Sequence, residues 1–146
     1  MDGTTVVVGV GNRLKGDDAA GPAVVDLLAA QRTVACIDAG VAPENHLEKI
    51  VALKPDTVLL VDAVHFGGKP GEARLFEAEQ IGPGGLSTHG LSLQMTCEYL
   101  GARRPVRIFL LGIQAGSADL GQGLSPPVER ATREIARAIA DTQTDA

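Results

Sequence analysis

Three aspartates and one histidine lie close to the ends of apolar segments in this sequence. Asp17 and Asp18 follow the first apolar run, Asp62 ends the third, and His89 stands in a glycine-rich loop before a helical segment. Two carboxylates and one neutral imidazole make a mixed oxygen and nitrogen ligand set. Such a set suits a borderline divalent cation such as Ni²⁺ or Zn²⁺ and leaves coordination positions open. The residue types therefore make Asp18, Asp62 and His89 candidate metal ligands on three separate loops.

Spacing alone leaves other assignments open at the same positions. Asp62-x-x-His65 is a compact pair, so His65 can take the place of His89. A single aspartate at the end of a strand also commonly orders a turn through hydrogen bonds to the backbone. We interpret Asp17 and Asp38 in this way, as residues that orient a loop.

The first loop is also a candidate nucleotide site. Gly9-x-Gly11 follows a predicted strand, but the next glycine, Gly16, lies farther away than the dinucleotide fingerprint requires. Asp17 and Asp18 would place negative charge beside a pyrophosphate. The sequence has no Gly-Lys-Ser/Thr, no G-x-S-x-G and no H-E-x-x-H, which argues against Walker A, serine hydrolase and zincin sites. The alternative that stays open is a non-catalytic α/β module that binds a nucleotide or a metal.

Composition and charge exclude several classes of partner. The chain has 146 residues and a formal net charge of −5, which disfavours nucleic acid and anionic membrane surfaces. Cys36 and Cys97 form no C-x-x-C motif, which argues against a disulfide scaffold and a cysteine zinc site. No apolar stretch reaches the roughly 18 residues that a membrane span needs. We therefore expect a cytoplasmic protein that binds neither nucleic acid nor membrane.

Alternating strands and helices must position the candidate residues. Continuous aliphatic runs are typical of strands that are buried on both faces of a parallel sheet. Apolar residues at helical spacing, and prolines at helix starts, mark the segments between them. Five strands are predicted, over residues 4–9, 34–38, 57–63, 73–76 and 106–113. Four helices are predicted, two that begin at Pro22 and Pro43, one over residues 91–100 and one that begins at Pro126.

This alternation predicts a three-layer α/β/α sandwich, with a twisted, mostly parallel sheet of about five strands and helices on both faces. Residues 1–146 are expected to form a single domain, with residues 140–146 as a frayed tail. In open sheets of this kind, ligands bind outside the carboxyl ends of the strands. Asp18, Asp62 and His89 are therefore expected to meet at one edge of the sheet.

Residues 8–22 resemble the signature of the hydrogenase maturation endopeptidases. Their sequence, VGVGNRLKGDDAAGP, matches the family pattern G-N-x-L-x-x-D-[DE]-x-x-G. Shorter matches are the family's second acidic position at residues 61–63 and its histidine loop at residues 87–89. Residues 42–45 and 111–114 are similar to the subgroup that processes formate-hydrogenlyase-type hydrogenases. The resemblance extends over almost the whole chain.

The resemblance implies an aspartic-type peptidase that removes a C-terminal extension from the precursor of a nickel–iron hydrogenase large subunit after nickel insertion. By match to the motifs, Asp18, Asp62 and His89 would carry the catalysis and bind a nickel that arrives with the substrate, so the resting enzyme is expected to be metal-free. Two positions depart from the family pattern. Ala19 replaces a usual glycine and is expected to stiffen the loop, and His65 replaces a frequent acidic residue and can tune or compete for the metal.

Overall fold

One sheet organises the part of the chain that the computed structural model describes, residues 3–32, 34–82 and 86–144. Its strands are ordered β2-β1-β3-β5-β4, with β1, β2, β3 and β5 parallel and β4 antiparallel to β5. The bounds are β1 Thr5–Val10, β2 Ala35–Gly40, β3 Thr57–Val64, β4 Ala73–Glu77 and β5 Arg107–Gln114. The prediction of a mostly parallel sheet of five strands is confirmed.

The helices pack on both faces of this sheet. They are α1 Ala20–Gln31, α2 Leu47–Ala52, α3 Gly90–Arg103 and α4 Pro126–Thr144. Short 3-10 turns at Gly16–Ala19 and Pro43–His46 precede α1 and α2. Pro22 therefore lies inside the first turn of α1, two residues after the start of the helix, because the 3-10 turn already directs the chain into it.

The prediction of a frayed tail over residues 140–146 is wrong for most of that segment. Helix α4 continues to Thr144, and the last two residues of the chain lie outside the described residues. The helix persists because Ile139 and Ala140 are buried in the core that α4 shares with α1. The Thr142 hydroxyl also donates a hydrogen bond of 2.9 Å to the carbonyl of Ala138.

The strand β1 shows how a continuous apolar run serves two layers. All six of its residues are buried, and successive side chains point to opposite faces of the sheet. Val7 packs in the core that includes α1 and α4, whereas Val6 and Val8 pack in the core beneath α2 and α3. The helical layers on both faces therefore follow directly from the uninterrupted valines.

The chain topology creates a crevice between β1 and β3. Strand β1 leads through α1 to β2 on one side, whereas β3 leads to β4 and β5 on the other side. Where neighbouring strands send their loops in opposite directions, the carboxyl ends of the strands are left open for a ligand. None of the helices in the described ranges is both long and apolar enough to cross a membrane.

Candidate active site

Asp18 is brought to the crevice by the tight connection between β1 and α1. Gly11 has a φ of +148°, and a Cβ at this position would lie 1.9 Å from the carbonyl oxygen of Asp18. A Cβ at Gly21 would lie 2.3 Å from the carbonyl oxygen of Val61. These two glycines of the motif thus allow the loop and the first turn of α1 to lie against the strand ends. The backbone N–H of Asn12 then donates to Asp18 Oδ2 at 2.8 Å.

Asp62 and His89 approach each other from β3 and from the turn that precedes α3. Asp62 is fully buried in β3, where it pairs with Gly112 of β5. The Nδ1 atom of His89 lies 3.2 Å from Asp62 Oδ2, and its Nε2 atom lies 3.9 Å from Asp18 Oδ2. Because an ionised carboxylate only accepts hydrogen bonds, Nδ1 of His89 is the donor in this contact, and in the neutral imidazole the lone pair is then on Nε2.

A third side chain, Ser87, completes the contacts of Asp62. The Ser87 hydroxyl donates a hydrogen bond to Asp62 Oδ2, and its oxygen accepts the backbone N–H of His89 at 3.0 Å. Asp62 Oδ1 is buried and has no hydrogen-bond partner among the described residues. A buried carboxylate oxygen without a donor is energetically costly, so its presence points to a ligand that is bound during function.

Burial and the neighbouring charges shift both titrating groups of this pair. Burial raises the pKa of the Asp62 carboxyl, while the hydrogen bonds from His89 and Ser87 oppose the rise. The hydrogen bond to Asp62 raises the pKa of the His89 imidazole, while burial opposes it. Each group therefore holds its proton more strongly than it would in water, as expected where an imidazole and two carboxylates share a secluded space.

The three predicted site residues are brought together by the fold. Asp18, Asp62 and His89 each offer one ligand atom, and these atoms all lie within 4.8 Å of one another. The side chains of His89 and Asp18 are 11% and 15% exposed, so the cluster is sheltered and still reachable from the crevice. Two carboxylate oxygens and one imidazole nitrogen at these separations match the donor chemistry of a borderline divalent cation. The residues present therefore fit such an ion.

Asp17 has the structural role that its position suggested. It is fully buried, and it accepts backbone hydrogen bonds from Gly116 at 2.8 Å, Ser117 at 2.9 Å and Ser125 at 2.7 Å. A fourth bond of 2.8 Å comes from the Ser125 hydroxyl. Burial works against ionisation, but these bonds outweigh it and lower the pKa of Asp17. Asp17 thus holds the loop after β5 against the 3-10 turn Gly16–Ala19 through these hydrogen bonds.

Asp38 and His65 lie outside the cluster. Asp38 accepts hydrogen bonds from Arg13 and from the backbone N–H of Gly40, so it orders the end of β2 as interpreted from the sequence. Arg13 also forms a two-point ion pair with Asp26 of α1. His65 is exposed, and its backbone N–H donates to the carbonyl of Leu86 at 2.7 Å. The structure therefore brings His89 to the two aspartates and leaves His65 aside.

Ser87 is the contact residue that the sequence analysis missed. The sequence predicts no role for Ser87 beyond its place in the histidine loop at residues 87–89. The signal that predicts its role is the Ser-x-His spacing ahead of a helix, because a serine oxygen often accepts the backbone N–H two residues later. The sequence does not show which carboxylate accepts the hydrogen bond from the Ser87 hydroxyl, because Ser87 and Asp62 are 25 residues apart and meet only in the folded chain.

Comparison with known proteins identifies the family. The family model described as hydrogenase maturation protease matches residues 22–142. The chain belongs to the hydrogenase maturation protease family. The matched range includes Asp62 and His89, and Asp18 lies just before it. As a member of a protease family, the chain is a peptidase of the hydrolase class, and the resemblance of its motifs to this family is confirmed.

Relatives of this family match over nearly their full lengths. The hydrogenase 3 maturation protease of Escherichia coli K12 is 33% identical over 135 residues, which cover 90% of this chain and 86% of the relative. The crystal structure of the protease HycI from Thermococcus kodakarensis has a TM-score of 0.88 at 34% identity, covering 97% of this chain and 92% of that one. The solution structure of the endopeptidase HycI from E. coli gives 0.85 at 30% identity, with 95% and 90% covered. These likenesses confirm the α/β sandwich.

Proposed function

We propose that this chain is an endopeptidase that removes the C-terminal extension of a nickel–iron hydrogenase large-subunit precursor after nickel insertion. The observation that carries the proposal is the convergence of Asp18, Asp62 and His89 at the crevice of a hydrogenase maturation protease. An open set of three ligand atoms is suited to complete the coordination of a metal that another chain already holds. We therefore treat nickel as part of the substrate, and the resting enzyme as metal-free.

The contacts within the cluster support a division of roles. In the neutral imidazole the lone pair of His89 is on Nε2, because Nδ1 donates to Asp62, and Asp62 Oδ1 has no hydrogen-bond donor among the described residues. Nickel bound with the substrate would polarise the scissile carbonyl or lower the pKa of a water molecule. Asp18, the more exposed carboxylate, is the one with access to solvent for accepting a proton from water. In this sense we classify the enzyme as aspartic-type.

The surroundings of the cluster also favour this function over nucleotide binding. The loop after β1 carries Asp18 into the crevice where a pyrophosphate would lie, and Asp62 stands behind it. Two carboxylates repel such a ligand.

We place the reaction in the cytoplasm, in agreement with the two free thiols Cys36 and Cys97, which persist in reducing compartments.

The test is a cleavage assay with nickel-loaded and nickel-free precursor. We expect the wild-type chain to shorten only the nickel-loaded precursor, and Asp18→Ala and Asp62→Ala to lower the rate at least about 100-fold. Asp56→Ala is the matched control, because Asp56 precedes β3 and lies at the opposite edge of the sheet. Equal cleavage of both precursors would contradict the proposal, and so would full activity of a variant that carries Asp18→Ala and Asp62→Ala together. Tight binding of NAD or ATP without cleavage would favour the nucleotide-binding module instead.

A further inference from the structure

Ser87 closes a ring of hydrogen bonds around one oxygen of the candidate site. The backbone N–H of His89 donates to Ser87 Oγ, the Ser87 hydroxyl donates to Asp62 Oδ2, and the same oxygen receives Nδ1 of His89. Ser87 is 8% exposed and Asp62 is fully buried, so water does not compete for these bonds. Ser87 thus holds His89 through its backbone N–H, and Asp62 holds it through its ring.

This ring makes the two oxygens of Asp62 unequal. Oδ2 accepts two hydrogen bonds, whereas Oδ1 has none from the described residues. A carboxylate without such a restraint can rotate and exchange its oxygens. A serine oxygen that already accepts an N–H aims its single proton at the carboxylate and opposes this rotation. Oδ1 is thereby kept free and the Nδ1–H form of His89 is favoured.

We propose that Ser87 is a positioning residue that orients Asp62 and His89 toward the metal carried by the substrate. It acts through these two residues, without touching the reacting atoms. The inference depends on the proposed function for its consequence in catalysis, but the orientation of His89 can be measured without substrate. Outer contacts of this kind typically change metal affinity or activity by about 10–100-fold when they are removed.

The experiment compares Ser87→Ala with the conservative Ser87→Thr. Alanine removes the hydroxyl, whereas threonine keeps both the donor and the acceptor. Ser92→Ala is the matched control. Ser92 lies in the first turn of α3, and among the described residues its side chain forms no hydrogen bond with Asp18 or Asp62. Three quantities are measured on each variant, namely the affinity for Ni²⁺ alone by calorimetry, the ¹⁵N shifts of the His89 ring, and the rate of precursor cleavage. Thermal unfolding checks that each variant is folded.

We expect Ser87→Ala to weaken Ni²⁺ binding and to slow cleavage by about 10–100-fold, and to shift His89 toward the Nε2–H form. Ser87→Thr should stay within about threefold of the wild type in both assays, with the wild-type ring shifts. If Ser87→Ala is unfolded, a folded Ser87→Gly must show the same losses, because glycine also lacks the hydroxyl and adds no metal ligand.

Two results would overturn the inference. One is a folded Ser87→Ala variant with wild-type ring shifts and wild-type Ni²⁺ affinity. The other is a Ser87→Thr variant that is as impaired as Ser87→Ala. Failure of the proposed function would give a different set of results. Asp62→Asn would then match the wild type in cleavage and in Ni²⁺ binding, while the ring shifts of His89 would still respond to Ser87→Ala.

Discussion

Asp17 and Asp62 are both completely buried aspartates at the carboxyl edge of the same sheet, yet their surroundings are opposite. Asp17 accepts four hydrogen bonds that use both of its oxygens. Asp62 places two contacts on Oδ2 and leaves Oδ1 without a partner in the described part of the chain. A fully satisfied carboxylate stabilises the fold, whereas a partly satisfied one is poised for a ligand.

The largest expected effect is on activity, at Asp62. Asp62→Asn keeps the volume of the side chain but removes the charge that faces the metal. We expect cleavage of nickel-loaded precursor to fall at least about 100-fold. Stability should be unchanged or higher, because a buried charge with an unpaired oxygen is removed. A chemical denaturation curve measured beside the cleavage assay tests both parts, and a strong loss of stability would contradict the contrast with Asp17.

The next effect is on stability, at Asp17. An asparagine at this position keeps one acceptor oxygen and turns an NH₂ group toward the N–H donors of the loop after β5. We expect Asp17→Asn to lower the free energy of unfolding by about 3 kcal/mol, as befits a buried network of hydrogen bonds to a charged group. Denaturant titration measures this loss. Activity per folded molecule should fall far less than for Asp62→Asn, and the opposite ranking would refute the structural role.

A smaller effect is the pH dependence of the Asp17 contribution. Its pKa in the folded protein lies below the usual value of 3.8, so its hydrogen bonds stabilise the fold fully above that pH. The contribution is lost as the pH falls through the lowered pKa. The stability difference between wild type and Asp17→Asn should therefore be constant near neutral pH and shrink below about pH 4. Denaturation curves at pH 7 and pH 3 measure it, and an equal difference at both would count against the assignment.

The smallest effect is expected at His65. This side chain is exposed and outside the cluster, so His65→Ala should leave cleavage within about twofold of the wild type. His89→Ala is the matched variant and should lose activity as severely as the aspartate variants. Assays at limiting and excess nickel-loaded precursor separate binding from turnover. A large defect in His65→Ala would show that the crevice extends to the loop after β3.

Much of the site was predictable because it depends on local patterns. Asp18 follows β1 and Asp62 lies near the carboxyl end of β3. Parallel strands bring their carboxyl ends to one edge of the sheet, so the proximity of the two aspartates follows from their order along the chain. The same logic could not choose between His65 and His89. His65 is the nearer of the two to Asp62 in sequence, but the turn before α3 folds back across the crevice. Ser87 holds His89 there, because it donates to Asp62 and accepts the backbone N–H of His89.

The sequence by itself determined the alternating α/β layers, since uninterrupted aliphatic strands and glycines at close approaches admit few other arrangements. It also determined which residue types reach the crevice. Only the tertiary structure decided which groups contact Asp17 and Asp62, and that one oxygen of Asp62 lacks a partner among the described residues. The partners of Asp17 lie up to 108 residues away, and the two partners of Asp62 lie 25 and 27 residues away. Contacts at such separations form only when the sheet brings its loops together, so no local pattern encodes them.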